Sequence, residues 1–450
     1  MSDAINLKKY QSFVDTISFV KKRGRVNRVT GLILEGDGPP VSLGSLCTIM
    51  SNQSDKAVDA EVVGFRDNKI LLMPLGEMTG IEPGSIIESK DESPLFNVSD
   101  GLLGRVVDGN GRPLDGKGPI PLGVDYPIFG QPVNPLDKQR VKQPLDIGIR
   151  AINALMTCGK GQRLGIMAGT GIGKSILLGM AARNTSADVN VVALIGERGR
   201  EVKEFIEENL GEEGLKKSVV VAAASDQPPL VRLRGAFIAH TIAEYFRDQG
   251  KDVLLMMDSV TRFALAQREI GLSIGEPPTT RGFTPSVFSL LPKLMERAGT
   301  STGRGTITGL YTVLVEGDDL TEPISDAVRA ILDGHIVLSR RLSSHNHYPA
   351  IDVLESISRL MGDVVPQEQV DLAMRFKDIL ATYREAEDLI NIGAYAAGSN
   401  PKIDLAIQKI DAFNRFLRQG MKETASMEES AAGLKAVVEG GPWRIVSKLY

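Results

Sequence analysis

Residues 168–175 combine small residues, a lysine and a hydroxyl in an order that suits the binding of phosphate groups. Three glycines let successive backbone N–H groups face an anion, and a helix that follows them adds the positive end of its dipole. A lysine here would contact the β- and γ-phosphates of a nucleotide, and a serine hydroxyl can bind Mg²⁺. The predicted phosphate loop is Ala168, Gly169, Thr170, Gly171, Ile172, Gly173, Lys174 and Ser175, with Lys174 catalytic and Ser175 a metal ligand.

Ala168 departs from the strict form of this motif, which begins with glycine. Alanine costs little there if its φ angle is negative. The alternative is an ordinary glycine-rich turn with a surface lysine. The strand-like run Arg163–Met167 before the loop and the helix-compatible run Ile176–Arg183 after it favour the phosphate loop.

Two acidic residues follow apolar runs and are candidates for the same site. Asp258 ends the run that starts at Asp252, and Glu197 follows the run Asn190–Ile195. Because ligands bind beyond the carboxyl ends of strands in an open α/β sheet, we expect both near Lys174. Asp258 would hold Mg²⁺, and Glu197 would activate water for attack on the γ-phosphate of ATP. The alternatives are a helix cap for Asp258 and a solvated charged loop for Glu197.

Apolar runs alternate with helical stretches between residues 151 and 365, which sets the fold class. Runs apolar on both faces are typical of parallel strands covered by helices, so we expect an α/β domain. The clearest predicted strands are Arg163–Met167, Asn190–Ile195, Ser218–Ala223 and Val253–Met257.

The rest of the chain divides into regions of different pattern. We predict an amphipathic partner-docking helix in residues 1–24 and a β-barrel in 25–95, followed by the nucleotide-binding domain in 96–365 and a helical domain in 366–450. Residues 96–150 are rich in Gly and Pro and are expected to form loops that lead into the nucleotide-binding domain. The predicted barrel strands include Arg25–Thr30, Gly31–Leu34, Glu61–Phe65 and Ile70–Pro74, and Asn400-Pro401 and Ser426-x-x-Glu429 are predicted helix starts.

Composition excludes several classes of protein. With 42% hydrophobic and 24% charged residues, the chain is neither disordered nor collagen-like. A net charge of −4 argues against a basic nucleic-acid-binding protein, and two cysteines in 450 residues fit a reducing cytoplasm. Residues 1–20 do not have the pattern of a secretory signal.

Beyond the phosphate loop, several motifs resemble those of the rotary ATP synthase catalytic subunit superfamily. They are Gly196-Glu-Arg198, Asp258-Ser-Val-Thr-Arg262-Phe, Asp318-Asp-Leu-Thr-Glu-Pro323, Tyr348-Pro-Ala-Ile-Asp352 and Ser358-Arg359. The segments Gly196–Val202 and Ala266–Gly282 resemble the ATPases of type III protein export more narrowly. Within these, Leu389–Tyr395 and Gly398-Ser-Asn-Pro resemble the flagellum-specific ATPases.

The resemblance implies a RecA-like P-loop ATPase core and a six-membered ring with nucleotide at the subunit interfaces. It implies that Arg359 reaches the γ-phosphate bound by a neighbouring subunit. The local sequence around Arg359, taken without the resemblance, favours an arginine on the surface of a helix. Tyr348 would pack on adenine, Arg198 would lie beside the catalytic glutamate, and Arg262 would lie near the nucleotide.

The implied partners are a dimeric regulator at the N-terminal helix, a central stalk, and export chaperones with their cargo. The protein would be cytoplasmic and in peripheral contact with the export gate of the inner membrane.

Three related functions remain as alternatives. The injectisome ATPase of type III secretion shares the chemistry, as does an ATP synthase subunit, whose glutamate loop usually reads Gly-Glu-Arg-Thr-Arg-Glu rather than Gly-Glu-Arg-Gly-Arg-Glu. A hexameric RNA translocase would need aromatic residues in its barrel, but Phe65 is the only aromatic residue between 25 and 94. We therefore expect no nucleic-acid partner.

Overall fold

Alternating apolar and polar residues near the N-terminus form strands that close into an antiparallel barrel. The computed structural model describes residues 21–51, 57–90, 94–315, 317 and 319–441, so the helix predicted before residue 21 lies outside the described part. The barrel order is β1-β2-β5-β4-β3-β6. Its strands are β1 (Arg23–Thr30), β2 (Ile33–Asp37), β3 (Leu46–Met50), β4 (Ala57–Arg66), β5 (Lys69–Pro74) and β6 (Ile86–Ser89).

The barrel is held by one small apolar core, into which alternate residues of its strands point. Leu34, Cys47, Ile49 and Leu72 are buried there. Two predicted boundaries were wrong. Gly31 has a φ of +58° in the turn before β2 and does not begin a strand, and β4 begins at Ala57 rather than at Glu61.

The second sheet runs in the order β17-β16-β10-β15-β13-β11-β12-β8, with β14 paired to β15. Its strands are β8 (Val106–Asp108), β10 (Arg163–Ala168), β11 (Val189–Ile195), β12 (Ser218–Ala223), β13 (Asp252–Asp258), β14 (Gly299–Thr300), β15 (Thr306–Leu314), β16 (Gly334–Leu338) and β17 (Ile351–Ser358). Strands β8, β10–β13, β15 and β16 are parallel, whereas β14 and β17 pair antiparallel. The predicted α/β fold class is confirmed.

The Gly/Pro-rich region 96–150 holds more regular structure than expected. Besides β8, which extends the sheet beside β12, it contains β9 (Val124–Pro127), and β9 pairs with β7 (Leu95–Val98). The expectation of loops alone was wrong. Strand β8 has only three residues, Val106–Asp108, which are too few to show the alternation of apolar and polar residues that predicts a strand.

Helices follow most of the parallel strands. They are α1 (Arg150–Leu155), α2 (Lys174–Asn184), α3 (Gly199–Glu204), α4 (Gly211–Lys216), α5 (Pro229–Asp248), α6 (Val260–Ile274), α7 (Pro285–Met295), α8 (Pro323–Ile331), α9 (Arg340–Ser344) and α10 (Met361–Val364). A π-helical segment, Phe205–Leu210, separates α3 from α4.

Three helices complete the described chain: α11 (Gln367–Asn391), α12 (Pro401–Leu417) and α13 (Met427–Glu439). Both predicted helix starts are present: the Asn400 side chain accepts from the Lys402 N–H, and Ser426 and Glu429 form a capping box. Phe376 stacks on Phe413 with ring centroids 3.9 Å apart.

Cα proximity divides the chain into two compact units. The first contains the described residues up to Pro94 with Ser273–Gly275, and the second contains the remainder from Leu95. The predicted division of the second unit at residue 366 stays a prediction.

Candidate nucleotide site

The predicted phosphate loop joins the end of β10 to the start of α2. Gly171 and Gly173 have φ angles of +78° and +98°, which a residue with a side chain rarely adopts. No side chain caps the N-terminus of α2, which begins at Lys174. Its first amide groups are therefore left for another acceptor. Ala168 is the last residue of β10, in extended backbone, so its methyl group is tolerated there.

Glu197 is held at the carboxyl end of β11 by a tight turn. Gly196 has a φ of +71°, and its N–H donates to the Ala223 carbonyl at 2.7 Å. The Glu197 carbonyl accepts from the Ser225 N–H at 2.9 Å. These two backbone bonds join the turn to the end of β12 and to the residues after it. They fix the backbone position of Glu197 at the edge of the sheet.

Lys174, Glu197 and Asp258 meet at this edge of the sheet. Lys174 Nζ forms an ion pair with Asp258 Oδ1 and lies 3.4 Å from Glu197 Oε1. The side chain of Lys174 is 11% exposed, that of Glu197 12% and that of Asp258 3%. Asp258 stands opposite Leu194 in the parallel register of β13 and β11, which explains why residues far apart in sequence converge.

The cluster shifts the titration of its members. Burial raises the pKa of Glu197 to about 7, assisted by the neighbouring Asp258 and opposed by Lys174. Burial alone would lower the pKa of Lys174, but Asp258 and Glu197 raise it above its ordinary value. Both forms of Glu197 are therefore populated at neutral pH, and Lys174 is charged.

Three other predicted site residues surround this cluster. Ser175 is the second residue of α2 and is half-buried. Arg262 lies on α6 against Gly196, where an added Cβ would come within 2.7 Å of the Arg262 Cβ. Its buried Nε has no hydrogen-bond partner among the described residues. Tyr348 is 42% exposed, and a Cβ on Gly173 would lie 4.0 Å from its ring. Tyr348 therefore lies beside the phosphate loop.

Arg198 and Arg359 are not in this cluster. Arg198 is 80% exposed and lies 3.9 Å from Glu201 on its own turn. Arg359 follows β17, whose last residue, Ser358, pairs with Gly334 at the start of β16. Because the phosphate loop follows the opposite end of the parallel strands, Arg359 lies at the other edge of the sheet.

Two residues that sequence reasoning missed support the cluster. The Thr312 hydroxyl on β15 donates to Asp258 Oδ1 at 2.8 Å, and the Glu197 carboxyl, when protonated, donates to the Glu201 carboxylate. No signal in the sequence distinguishes Thr312 from Thr306 and Thr308 on the same strand. Glu201 follows Glu197 by four residues, a spacing that could have indicated that the two side chains interact.

Within the described ranges, no group of three or more His, Cys, Asp and Glu residues has the arrangement of a metal centre, and no helix is long and apolar enough to cross a bilayer.

Comparison with known proteins covers almost the whole chain. Residues 26–90 match the beta-barrel domain of the ATP synthase alpha/beta family, and residues 148–358 match its nucleotide-binding domain. Residues 365–436 match the T3SS EscN ATPase C-terminal domain. A nucleotide is thus the substrate of the central domain, and a divalent metal typically accompanies it in such ATPases.

Individual relatives are similar over nearly their full lengths. A flagellum-specific ATP synthase of Bacillus subtilis is 54% identical, covering 95% of this chain and 99% of its own. A type 3 secretion system ATPase of Xanthomonas euvesicatoria is 47% identical over 94% of this chain and 96% of its own. The structure of the assembled ATPase EscN from the enteropathogenic E. coli type III secretion system superposes with a TM-score of 0.88 at 45% identity, over 92% of this chain and 100% of that one. The chain therefore belongs to the ATP synthase alpha/beta family and, within it, to the flagellum-specific and type III secretion ATPases that hydrolyse ATP for protein export.

Proposed function

We propose that this chain is a Mg²⁺-dependent ATPase that drives flagellar protein export as a ring with sites between subunits. The observation that carries the proposal is the meeting of Lys174, Glu197 and Asp258 at the end of the phosphate loop. A lysine and a buried carboxylate suffice to bind a nucleotide, and a second carboxylate with a pKa near 7 adds a group for hydrolysis.

The phosphate loop and its neighbours have the donors that ATP and Mg²⁺ need. The amides of residues 169–173 and the Lys174 ammonium would bind the β- and γ-phosphates. The Ser175 hydroxyl and the buried Asp258 carboxylate are oxygen donors, which Mg²⁺ prefers, so the residues fit this ion. The chemistry that Mg²⁺ supplies when bound is neutralisation of charge on the phosphate oxygens.

Glu197 would position the attacking water and accept its proton. Its backbone is held by the turn at Gly196, which fixes the point from which the side chain would reach a water in line with the γ-phosphate. The ionised form accepts the proton, and a pKa near 7 leaves that form populated at neutral pH. Lys174 would stabilise charge as it moves to the leaving group.

Three further residues complete the pocket in this proposal. The Nε of Arg262 beside Gly196, unpaired within the described chain, would donate a hydrogen bond near the nucleotide. Tyr348 next to Gly173 would stack on adenine. Arg198, exposed beside Glu201, would assist Glu197 after a change of rotamer.

Arg359 would act on a neighbouring subunit. Its position at the edge opposite its own phosphate loop supports a role in trans, since an arginine finger must reach the γ-phosphate. Such an arginine contributes about 10³–10⁵ in rate, so an isolated subunit should turn over slowly. The similar EscN is an assembled ATPase, which supports a homo-oligomeric ring of six for this chain.

The proposed partners follow from the export function. EscN has been solved in complex with its central stalk EscO, which supports a stalk partner here. We include a dimeric regulator at the N-terminal helix, export chaperones with cargo, and the membrane export gate, with the protein in the cytoplasm beside the inner membrane.

Replacing Glu197 by Gln tests the proposal. The variant should retain binding of a fluorescent ATP analogue and lose at least about 100-fold in phosphate release, the lower end of general-base catalysis. Glu208→Gln, an exposed change nearby, is the matched control and should hydrolyse normally. Undiminished turnover of Glu197→Gln would remove Glu197 from the mechanism.

The injectisome ATPase is the second candidate, because two type 3 secretion system ATPases are each 47% identical to the chain. Restored motility in a strain that lacks its flagellar ATPase would support the flagellar assignment. Restored needle secretion alone in the corresponding injectisome strain would favour the alternative.

A further inference from the structure

A cavity of about 310 Å³ lies among α9, β17, α11 and α12, and it has an apolar wall and a charged rim. Leu342, Val353, Leu380 and Ile410 contribute to the apolar wall. No residue of the phosphate loop lines it, so it is distinct from the nucleotide site. Its volume is at the lower end of cavities that hold small organic molecules.

The rim of this cavity carries an uncompensated positive charge. Arg384 donates to both carboxylate oxygens of Asp352 at 2.9 Å, and Arg341 pairs with Glu387 at 2.9 Å. The side chain of Arg418 has no ion-pair or hydrogen-bond partner among the residues that the structure describes. An anion in the cavity would therefore meet a free guanidinium.

His347 adds a buried donor on the same cavity. It is 4% exposed, and its Nε2 has no hydrogen-bond partner within the described chain. Burial, followed by Arg418 and Arg384, lowers the pKa of His347 to about 4, so the ring is neutral at pH 7. In the tautomer with hydrogen on Nε2, a neutral imidazole donates to an anion. A buried nitrogen without a partner in the described chain is unusual, whereas the Arg418 guanidinium is exposed and open to a ligand from solvent.

We propose that this cavity binds a small amphipathic organic anion, with its carboxylate, phosphate or sulfonate group between Arg418 and His347 and its apolar body against Leu380 and Ile410.

Binding here would affect the nucleotide site, a consequence that rests on the proposed function. His347 directly precedes Tyr348, and Gln419, next to Arg418, donates its N–H to the Tyr348 carbonyl at 2.9 Å. The Tyr348 hydroxyl also bonds the Ser343 hydroxyl at 2.9 Å. An anion that draws Arg418 and His347 together moves both supports of Tyr348, so it changes the affinity for ATP.

The test uses 8-anilinonaphthalene-1-sulfonate, whose fluorescence rises in apolar surroundings, with the full chain. We expect one site per chain, weakened at least fivefold in Arg418→Gln and in His347→Phe. Arg415→Gln, an exposed arginine of α12 outside the cavity, is the matched control and should bind like the unchanged protein. Lys174→Ala should also bind normally, because its change lies in the nucleotide site.

N-phenyl-1-naphthylamine, the uncharged counterpart of the probe, tests the role of charge. It should bind more weakly, and equally to the unchanged protein and to Arg418→Gln. Equal binding of both dyes, or sulfonate binding that neither cavity variant weakens, would overturn the proposal.

The coupling is measured separately, as the KM for ATP with and without saturating sulfonate. A change of at least twofold that Arg418→Gln abolishes supports coupling, and an unchanged KM with the binding results intact refutes it. Absence of hydrolysis in all samples would count against the proposed function and leave the dye-binding result as it stands.

Discussion

Replacing Glu197 by Gln should stabilise the folded protein at alkaline pH. The pKa of Glu197 is raised from its ordinary 4.5 to about 7, chiefly by burial and then by Asp258. Between these two values the folded chain binds more protons than the unfolded chain, so its stability falls as pH rises through this interval. A difference of about 2.5 pKa units corresponds to about 3 kcal/mol, fully expressed above about pH 8. Glutamine preserves the shape of the side chain and cannot ionise.

Urea unfolding measures this effect through the helical circular dichroism signal, since the described helices belong to the second compact unit. Below about pH 4 the two proteins should be almost equally stable, because the Glu197 carboxyl is then mostly protonated in both the folded and the unfolded chain. Near pH 8 the variant should be more stable by about 3 kcal/mol. Glu208→Gln should show no such gain. Parallel pH profiles for Glu197→Gln and the unchanged protein would refute the assignment of a raised pKa to Glu197.

Two further predictions concern other parts of the site. Mixing Arg359→Ala with Lys174→Ala protein should restore ATP hydrolysis through hybrid interfaces that hold both intact groups, and no recovery in mixed rings of proven composition would exclude trans action. Thr312→Val removes the 2.8 Å bond to buried Asp258, so it should lower the free energy of unfolding by about 1.5–3 kcal/mol and raise the Mg²⁺ concentration for half-maximal activity. Thr312→Ser keeps the hydroxyl and should preserve the Mg²⁺ requirement, although it loses a buried methyl group. A valine variant with the same Mg²⁺ requirement as the serine variant would count against the bond.

The sequence predicts the fold best where the pattern of apolar residues, or a local capping motif, is unambiguous. The apolar runs of β10–β13 are buried on both faces, so their positions were predicted to within one residue at each end. Asn400 and the pair Ser426 and Glu429 mark helix starts through side-chain bonds to nearby backbone, which local sequence encodes. Strand β8 could not be predicted, because its pairing with β12 depends on a distant part of the chain.

The site was predictable to the extent that parallel strands bring their carboxyl ends together. That rule alone brings Glu197 and Asp258 to the end of the phosphate loop, where both contact Lys174. It gives no information on side-chain rotamers, so the exposure of Arg198 had no signal in the sequence. The contribution of Thr312 required the knowledge that β15 lies between β10 and β13.

Arg359 shows why the direction of one strand decides a residue's role. Had β17 been parallel to β16, Arg359 would lie at the edge of its own phosphate loop. Because β17 is antiparallel, Ile351 pairs with Leu338 near the loop and Ser358 pairs with Gly334 at the far end. Four residues of β16 separate the two edges, or about 13 Å at about 3.3 Å per residue. Rotamer changes within the chain do not bridge that distance, since the guanidinium is directed to the Leu332 carbonyl at the same edge. Arg359 therefore either has no part in hydrolysis or serves a second copy of the chain, and hybrid rings distinguish the two.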